Sequence, residues 1–425
     1  MTTPDSLQIF GTVCFALAVL HTFSVGYFKK LGNKYPDGSV GENFFHLIGE
    51  IEVVFGIWAA LFLAFYWFAR GGDQALTYLE TRHFTEPFFV FVIMSVCGSK
   101  PILTLSDQAL SSLARFFKFK GLTPFLASAL VVGPLLGSLI TEPAAMTIAA
   151  LLLSRRIFNL PLSEPLKYGI LGTLFVNISI GGTLTPFAAP PVLMVARVWE
   201  WDLAFMLSHF GYKASIAVIL NTLVLCFTYR RELSHSPLQA VPKVDRKYRI
   251  PMWVGLLHIL ILIAVILSSH HMVLYGGLFL VFLGITQVTA EYQETLKLRE
   301  GLLVTFFLGG LVILGSPQEW WLRPVITNLS HQFLFFASMV CTAITDNAAI
   351  TYLGSQVEQL SENSRYALVA GSVVGGGLTV IANAPNPVGY TILNQFFGAS
   401  GIKAIKLLKS ALIPTTVAAL CFWFL

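Results

Sequence analysis

Apolar residues run in blocks of roughly 20, long enough to cross a bilayer core of ~30 Å as helices, from Leu7 to Leu425. The pattern predicts helices near 7–27, 44–68 and 87–105, then paired arms at 122–158 interrupted around Glu142. A broken segment at 166–199 and a helix at 205–229 complete the first half. After a polar stretch from Tyr229 to Arg249 the order returns: 251–269, 272–292, 300–322, arms at 331–358 interrupted around Asp346, a broken segment at 365–397, and 407–425.

The words repeat as well as the rhythm. Ile140-Thr-Glu-Pro-Ala-Ala-Met-Thr147 recurs as Ile344-Thr-Asp-Asn-Ala-Ala-Ile-Thr351, and Gly181-Gly-Thr-Leu-Thr-Pro186 has its counterpart in Gly376-Gly-Leu-Thr-Val380. Helix-breaking residues at matching places in two halves are a sequence pointer to a transporter binding site. The second arms, 147–158 and 351–359, are short for a full crossing, so each pair reads as a re-entrant hairpin. About five crossings then remain per half, an odd number, which requires the halves to be inverted. The expected fold is an all-α polytopic membrane protein of two inverted repeats, each with a re-entrant hairpin and a broken helix. The first repeat is 1–229, the basic linker 230–250 and the second repeat 251–425.

Composition agrees. Of 425 residues, 55% are apolar and 12% charged, outside the soluble globular range. Met-Thr-Thr-Pro-Asp at the start lacks the basic patch of a cleavable signal, so the first run is expected to be retained. The five cysteines lie in apolar segments without metal-like spacing and read as buried small hydrophobes. The net charge of +5 comes from loops, and loops fix orientation. With the linker (Arg230, Arg231, Lys243, Arg246, Lys247, Arg249) in the cytoplasm, Lys29, Lys30, Lys34, the basic residues of 115–120, Arg155, Arg156, Lys167, Lys297, Arg299, Lys403, Lys406 and Lys409 fall on the same side. Arg70, Arg82, Arg323 and Arg365 fall outside, and both termini are expected outside.

Candidate chemistry follows from the interruptions. A carboxylate in hydrocarbon costs at least ~2.5 kcal/mol, so an acid there is a functional candidate by default. At a hairpin tip the first arm ends in free carbonyls and the second begins with free amides. Thr345, Asp346, Asn347 and Thr351, with Thr379, Asn383 and Asn386, offer the oxygens a hard cation accepts; Thr141, Glu142, Thr147, Thr183 and Thr185 are the first-half counterparts. Sodium would sit at Asp346 and Asn347. Thr141-Glu142-Pro143 reads equally as an ordinary helix start with a capping acid, and the glycine-proline stretches as packing kinks. His46, Glu50 and Glu52 form a third group, with His46 and Glu50 on one helix face, suited to proton relay or else solvated at the membrane surface. Lys100 and Asp107 read as a helix end, His21 and His258 as hydrogen-bonded within the bundle, and His270-His271 as a solvated turn; Trp320-Trp321 reads as an interfacial belt. A P-loop, HExxH, GxSxG and any nucleic-acid module are all missing from the sequence, which argues against ATP-driven transport by this chain and against an enzyme.

Gly-Gly-Thr-Leu-Thr-Pro, Thr-Asp-Asn-Ala-Ala-Ile-Thr and His-Leu-Ile-Gly-Glu-Ile-Glu resemble motifs of the ion-transporter superfamily, from residue 40 onward. Its members include D-type sodium/proton antiporters, arsenite-pump membrane subunits and dicarboxylate carriers; the likeness is greatest to bacterial sodium/proton antiporters. The resemblance implies an ion site at Asp346-Asn347, two inverted repeats and often a homodimer. Here Glu142-Pro143 departs from the family's acidic-amide pair in the first repeat. The expected function is exchange of sodium or lithium for protons across a bacterial inner membrane, with no cofactor. The alternative is a sodium-coupled anion, dicarboxylate or arsenite-type carrier of the same fold.

Overall fold

Two of the expected helices are broken where glycine weakens them. In the computed structural model, which describes residues 4–113, 121–235, 250–269, 271–296, 298–357, 359–398 and 401–425, α1 (Ser6–Gly32) starts from an Asp5 capping box and runs as expected. The second expected span divides into α2 (Val40–Ile48) and α3 (Ile51–Arg70) at Gly49 and an extended Glu50. Gly49 has no room for a side chain: a Cβ there would stand 2.9 Å from Lys29 Cγ. After α4 (Gly72–Glu80), a short helix the pattern did not predict, α5 (Thr85–Cys97) and α6 (Lys100–Leu113) meet at a 71° bend over Gly98-Ser99.

The first-half arms are α7 (Thr123–Ala127), a π-turn at 128–132, α8 (Gly133–Ile140) and α9 (Glu142–Leu153). The broken segment is α10 (Glu164–Gly181) and α11 (Pro190–Ala196), joined by an unwound stretch. Then α12 (Leu203–Met206) continues through a π-turn into α13 (Tyr212–Thr228). The linker opens as helix α14 (Arg230–His235), docked by the Leu122 amide on the Leu233 carbonyl at 3.0 Å. Residues 114–120 and 236–249, His270 and Lys297 lie outside the described residues.

The second half supplies α15 (Met252–Leu267), α16 (Met272–Val288), α17 (Leu298–Gly315) continued by α18 (Glu319–Ile326), α19 (His331–Ile344), α20 (Asn347–Ser355), α21 (Glu362–Gly375), α22 (Asn386–Asn394) and α23 (Ala404–Phe424). Among the described residues there is no strand, and six helices are long and apolar enough to cross a membrane, or seven with the bent pair. The chain is an all-helical, multi-pass membrane protein.

One packing unit occurs in both halves. The Leu130 carbonyl accepts from Asn177 (2.8 Å), Gly181 packs on Pro134, and the Thr185 hydroxyl donates to the Ser138 carbonyl (2.7 Å), so α8 and α10 run side by side in the same direction. Gly371 packs on Phe335, Gly375 on Met339, and Thr379 donates to the Ala343 carbonyl (2.9 Å), so α19 and α21 do the same. Glycine is needed at these positions because the neighbouring backbone lies where a Cβ would be.

Charged residues sort to two ends. Lys29 at the end of α1, Glu50 before α3 and Arg299 at the start of α17 share one cavity, with Glu50 paired to Arg299. Asp5 pairs with Arg70 (3.5 Å) at the other end of α1 and α3, where Arg82 also reaches Ser316 beyond α17. Tyr212 donates to the Leu425 carbonyl (2.7 Å). All five cysteines are free, but Cys341 is exposed and Cys226 half-buried, not core as predicted. His21 bonds the Ile48 carbonyl (2.9 Å) and Trp58, His258 the Val254 carbonyl (2.8 Å), and Trp320 donates to Thr12 (3.2 Å).

Candidate ion site

The first hairpin closes on small residues. A Cβ at Gly137 would stand 3.2 Å from that of Ala145, and one at Gly133 3.5 Å from that of Ala149, so α8 and α9 lie antiparallel and close. The tip is Thr141, buried, at φ 79°. Positive φ is a strained choice for a β-branched residue, at ~1–3 kcal/mol, and its hydroxyl has no partner. The strain aims Glu142 inward. That side chain is 0% exposed, lies against Gly182, and accepts from Asn383 Nδ2 at Oε2 (2.8 Å); Oε1 has no partner. Glu142 therefore caps nothing.

At the second tip Asp346 is extended and does cap: its Oδ1 accepts from the Ala348 (2.8 Å) and Ala349 (3.2 Å) amides that open α20. Asn347 is buried, its Nδ2 3.5 Å from Ser179 Oγ, its own amide on the Ala382 carbonyl (3.1 Å), and its Oδ1 without a partner. Among the described residues, no lysine, arginine or histidine forms an ion pair with Glu142 or Asp346.

The unwound stretches are held by side chains. Thr183 donates to the Ile180 carbonyl (2.7 Å), Thr185 to Ser138, and Asn386 Nδ2 to the Gly376 (2.7 Å) and Thr379 (2.8 Å) carbonyls. Unwound backbone at membrane depth must be satisfied this way. The arms are tied likewise, Thr147 to the Pro143 carbonyl (2.8 Å) and Thr351 to Asn347 (3.1 Å). These threonines spend their protons on carbonyls, keeping oxygen lone pairs free.

Two vestibules approach the tips from opposite ends. One, of about 410 Å³, has Lys29, Glu50 and Arg299 near its mouth and reaches Pro143 and Thr147 of α9 and Pro387 of α22. Glu52 lines both this vestibule and a small inner cavity of about 20 Å³ shared with Asp346 and Asn383. The other vestibule, about 300 Å³, is walled by α11 (Met194) and α20 (Tyr352, Ser355) and contains the Arg197–Glu86 pair (3.6 Å). It stops at Tyr352, whose hydroxyl donates to the Val312 carbonyl (3.1 Å), well short of Asn347.

A buried pair of acids in a bundle with water-sized access is a transporter's arrangement, and the family comparison agrees: the model described as "Putative Na+/H+ antiporter" matches residues 6–425. The chain belongs to this family. Its members are transporters, so this antiporter-family chain is not an enzyme. Its structure is similar to a crystal structure of the Alcanivorax borkumensis YdaH transporter, described as having an unusual topology. The two chains are 15% identical, with a TM-score of 0.49, over 87% of this chain and 96% of that one. No curated protein matches the sequence.

Against the sequence reading, the antiporter-family fold brings Glu142, Asp346, Asn347, Asn383, Asn386, Thr183 and Thr185 into one buried region. Thr345 sits at the rim, donating to the Cys341 carbonyl (2.8 Å). One expectation fails. The break at Gly49 puts His46 and Glu50 on separate helices; His46 stands 3.6 Å from Glu42 on α2, and only Glu50 and Glu52 face the vestibule. Lys100 pairs with Glu294 (3.1 Å), while Asp107's side chain lies outside the described residues. Two participants went unpredicted: Ser138, whose hydroxyl donates to the Gly181 carbonyl (2.7 Å) and receives the Leu184 amide (2.9 Å), and Ser179, which donates to the Val373 carbonyl (2.7 Å). Their signal was Ser138 in the first arm and Asn-Ile-Ser-Ile immediately before Gly181-Gly182.

Proposed function

We propose that this protein exchanges sodium or lithium for protons across a bacterial inner membrane, with cation and proton competing at Asp346 and Glu142. The observation that carries this is two buried carboxylates without a basic partner. A buried charge costs several kcal/mol unless paired, so each acid must hold a proton or a cation. Thr345, Asn347, Thr351, Thr379, Asn383 and Asn386 would complete one half of the site, and Thr141, Thr147, Thr183 and Thr185 the other. Protons would reach Asp346 through Glu52. The same observation weighs against anionic cargo. Lys100 is held by Glu294, and Lys213 donates to Tyr366 (2.8 Å), so neither is offered to the tips.

The two halves, 1–229 and 251–425, would be inverted repeats. In support, α9 runs toward Arg155 and Arg156, beside Phe158 and the Phe396–Phe397 turn, whereas α20 runs toward Arg82 and Arg197. The lysine-rich end would face the cytoplasm, leaving both termini outside. The test is sodium-induced proton release from everted vesicles. Asp346→Asn keeps the size and removes the exchangeable proton, so release should vanish; wild-type release would reject the assignment. Dicarboxylate-dependent sodium flux would instead favour the anion carrier.

A further inference from the structure

Helix α21 stops at Gly375, so the carbonyls of its last turn have no amide further along the helix to meet. The Val373 carbonyl is reached by the Gly376 amide only at 3.3 Å. A closer donor comes from the other half: the hydroxyl of Ser179, in the last turn of α10, at 2.7 Å. Ser179 is 0% exposed, and it fits there because residue 376 is glycine. A Cβ on Gly376 would fall on the Ser179 hydroxyl and 2.9 Å from Asn347 Nδ2.

A serine hydroxyl has one proton and two lone pairs. The Val373 carbonyl takes the proton, so whatever else faces Ser179 Oγ must donate to it. Asn347 does so, with Nδ2 3.5 Å from that oxygen. At this separation the bond is weak, yet its sense is strict: turned the other way, the amide would set Oδ1 against a lone pair. The Asn347 backbone is held by its amide on the Ala382 carbonyl (3.1 Å), which leaves only the side chain to rotate. Oδ1 is thereby buried with no donor among the described residues, next in sequence to Asp346. A buried amide oxygen left unsatisfied is costly, and a hard cation would satisfy it. We infer that Ser179 is a positioning residue for the cation: by accepting from Asn347 Nδ2 it turns Oδ1 toward the ion. The inference rests on the proposed exchange. Each tip is then held by the opposite half, Glu142 by Asn383 and Asn347 by Ser179.

The test compares half-saturating sodium with maximal proton release in everted vesicles at one fixed pH. Ser179→Ala removes the acceptor and frees the amide to rotate. Half-saturating sodium should rise about fivefold, the strength of one hydrogen bond, while maximal release stays within about twofold. Purified full-length protein in detergent, melted at increasing sodium, should show the same shift in the sodium needed for half the stabilisation. A role confined to capping α21 would lower the melting temperature without sodium and leave that midpoint where it was. Asn347→Ala removes the group being turned, so adding Ser179→Ala to it should move the midpoint no further. An unchanged midpoint in Ser179→Ala, or multiplied effects in the double variant, overturns the inference and leaves the exchange reading standing. Wild-type proton release by Asp346→Asn overturns the exchange reading instead.

Discussion

Asp346 and Glu142 differ by one methylene and by the residue that follows, and those differences set their roles. The shorter acid reaches back to the amides of its own helix. Glu142 is followed by Pro143, which has no amide to offer, and its longer side chain extends to Asn383 instead. Reading Thr-Glu-Pro as a cap therefore described the wrong tip. The sequence located both acids because charge inside apolar runs is conspicuous; it could not show that Glu142 is partnered by Asn383, 241 positions away. Two variants follow at this scale. Gly182→Ala puts a methyl against the Glu142 carboxylate, so half-saturating sodium should rise at least tenfold in the vesicle assay, with about 1–3 kcal/mol lost from stability. Thr141→Gly accepts the positive φ without strain and should gain about 1 kcal/mol in thermal melts of purified protein.

Helices were legible where apolar runs were uniform, as in α1, α13 and α23. Interruptions were legible where polar and helix-breaking residues recur at matching places in both halves, as at Gly181–Pro186 and Gly376–Val380. Gly49-Glu50 and Gly98-Ser99-Lys100-Pro101 lie singly inside long apolar runs, and a pattern averaged over a whole span passes over them. At Gly49 the cause is tertiary: the α1 backbone and Lys29 occupy the space of a side chain. The unwound stretch 376–385 depends on such tertiary support too. Asn386→Ala leaves the Gly376 and Thr379 carbonyls without the donors they now have. At about 1 kcal/mol for each hydrogen bond, the variant should melt about 2 kcal/mol less stable and lose exchange at temperatures the wild type tolerates.

Across the whole molecule, access is unequal. The vestibule with Lys29 and Arg299 extends to Pro143, adjoining Glu142, whereas the one with Arg82 and Arg197 is stopped at Tyr352. Thr391 lines the first of these, so in a background with the native cysteines replaced Thr391→Cys should react with an impermeant thiol reagent from that end only. Weakening the closed end with Tyr352→Phe, which removes the bond to Val312, should slow that labelling by shifting the population toward the opposite opening. Equal labelling in both backgrounds would show that Tyr352 does not hold that end shut.

The make-up of the two vestibule walls has one more consequence. Each includes the second arm of one half's hairpin and the second piece of the other half's broken segment, α9 with α22 at one end and α20 with α11 at the other. Neither half owns a doorway. A mutation that loosens one door must therefore tug on a polypeptide segment belonging to the same half as part of the other.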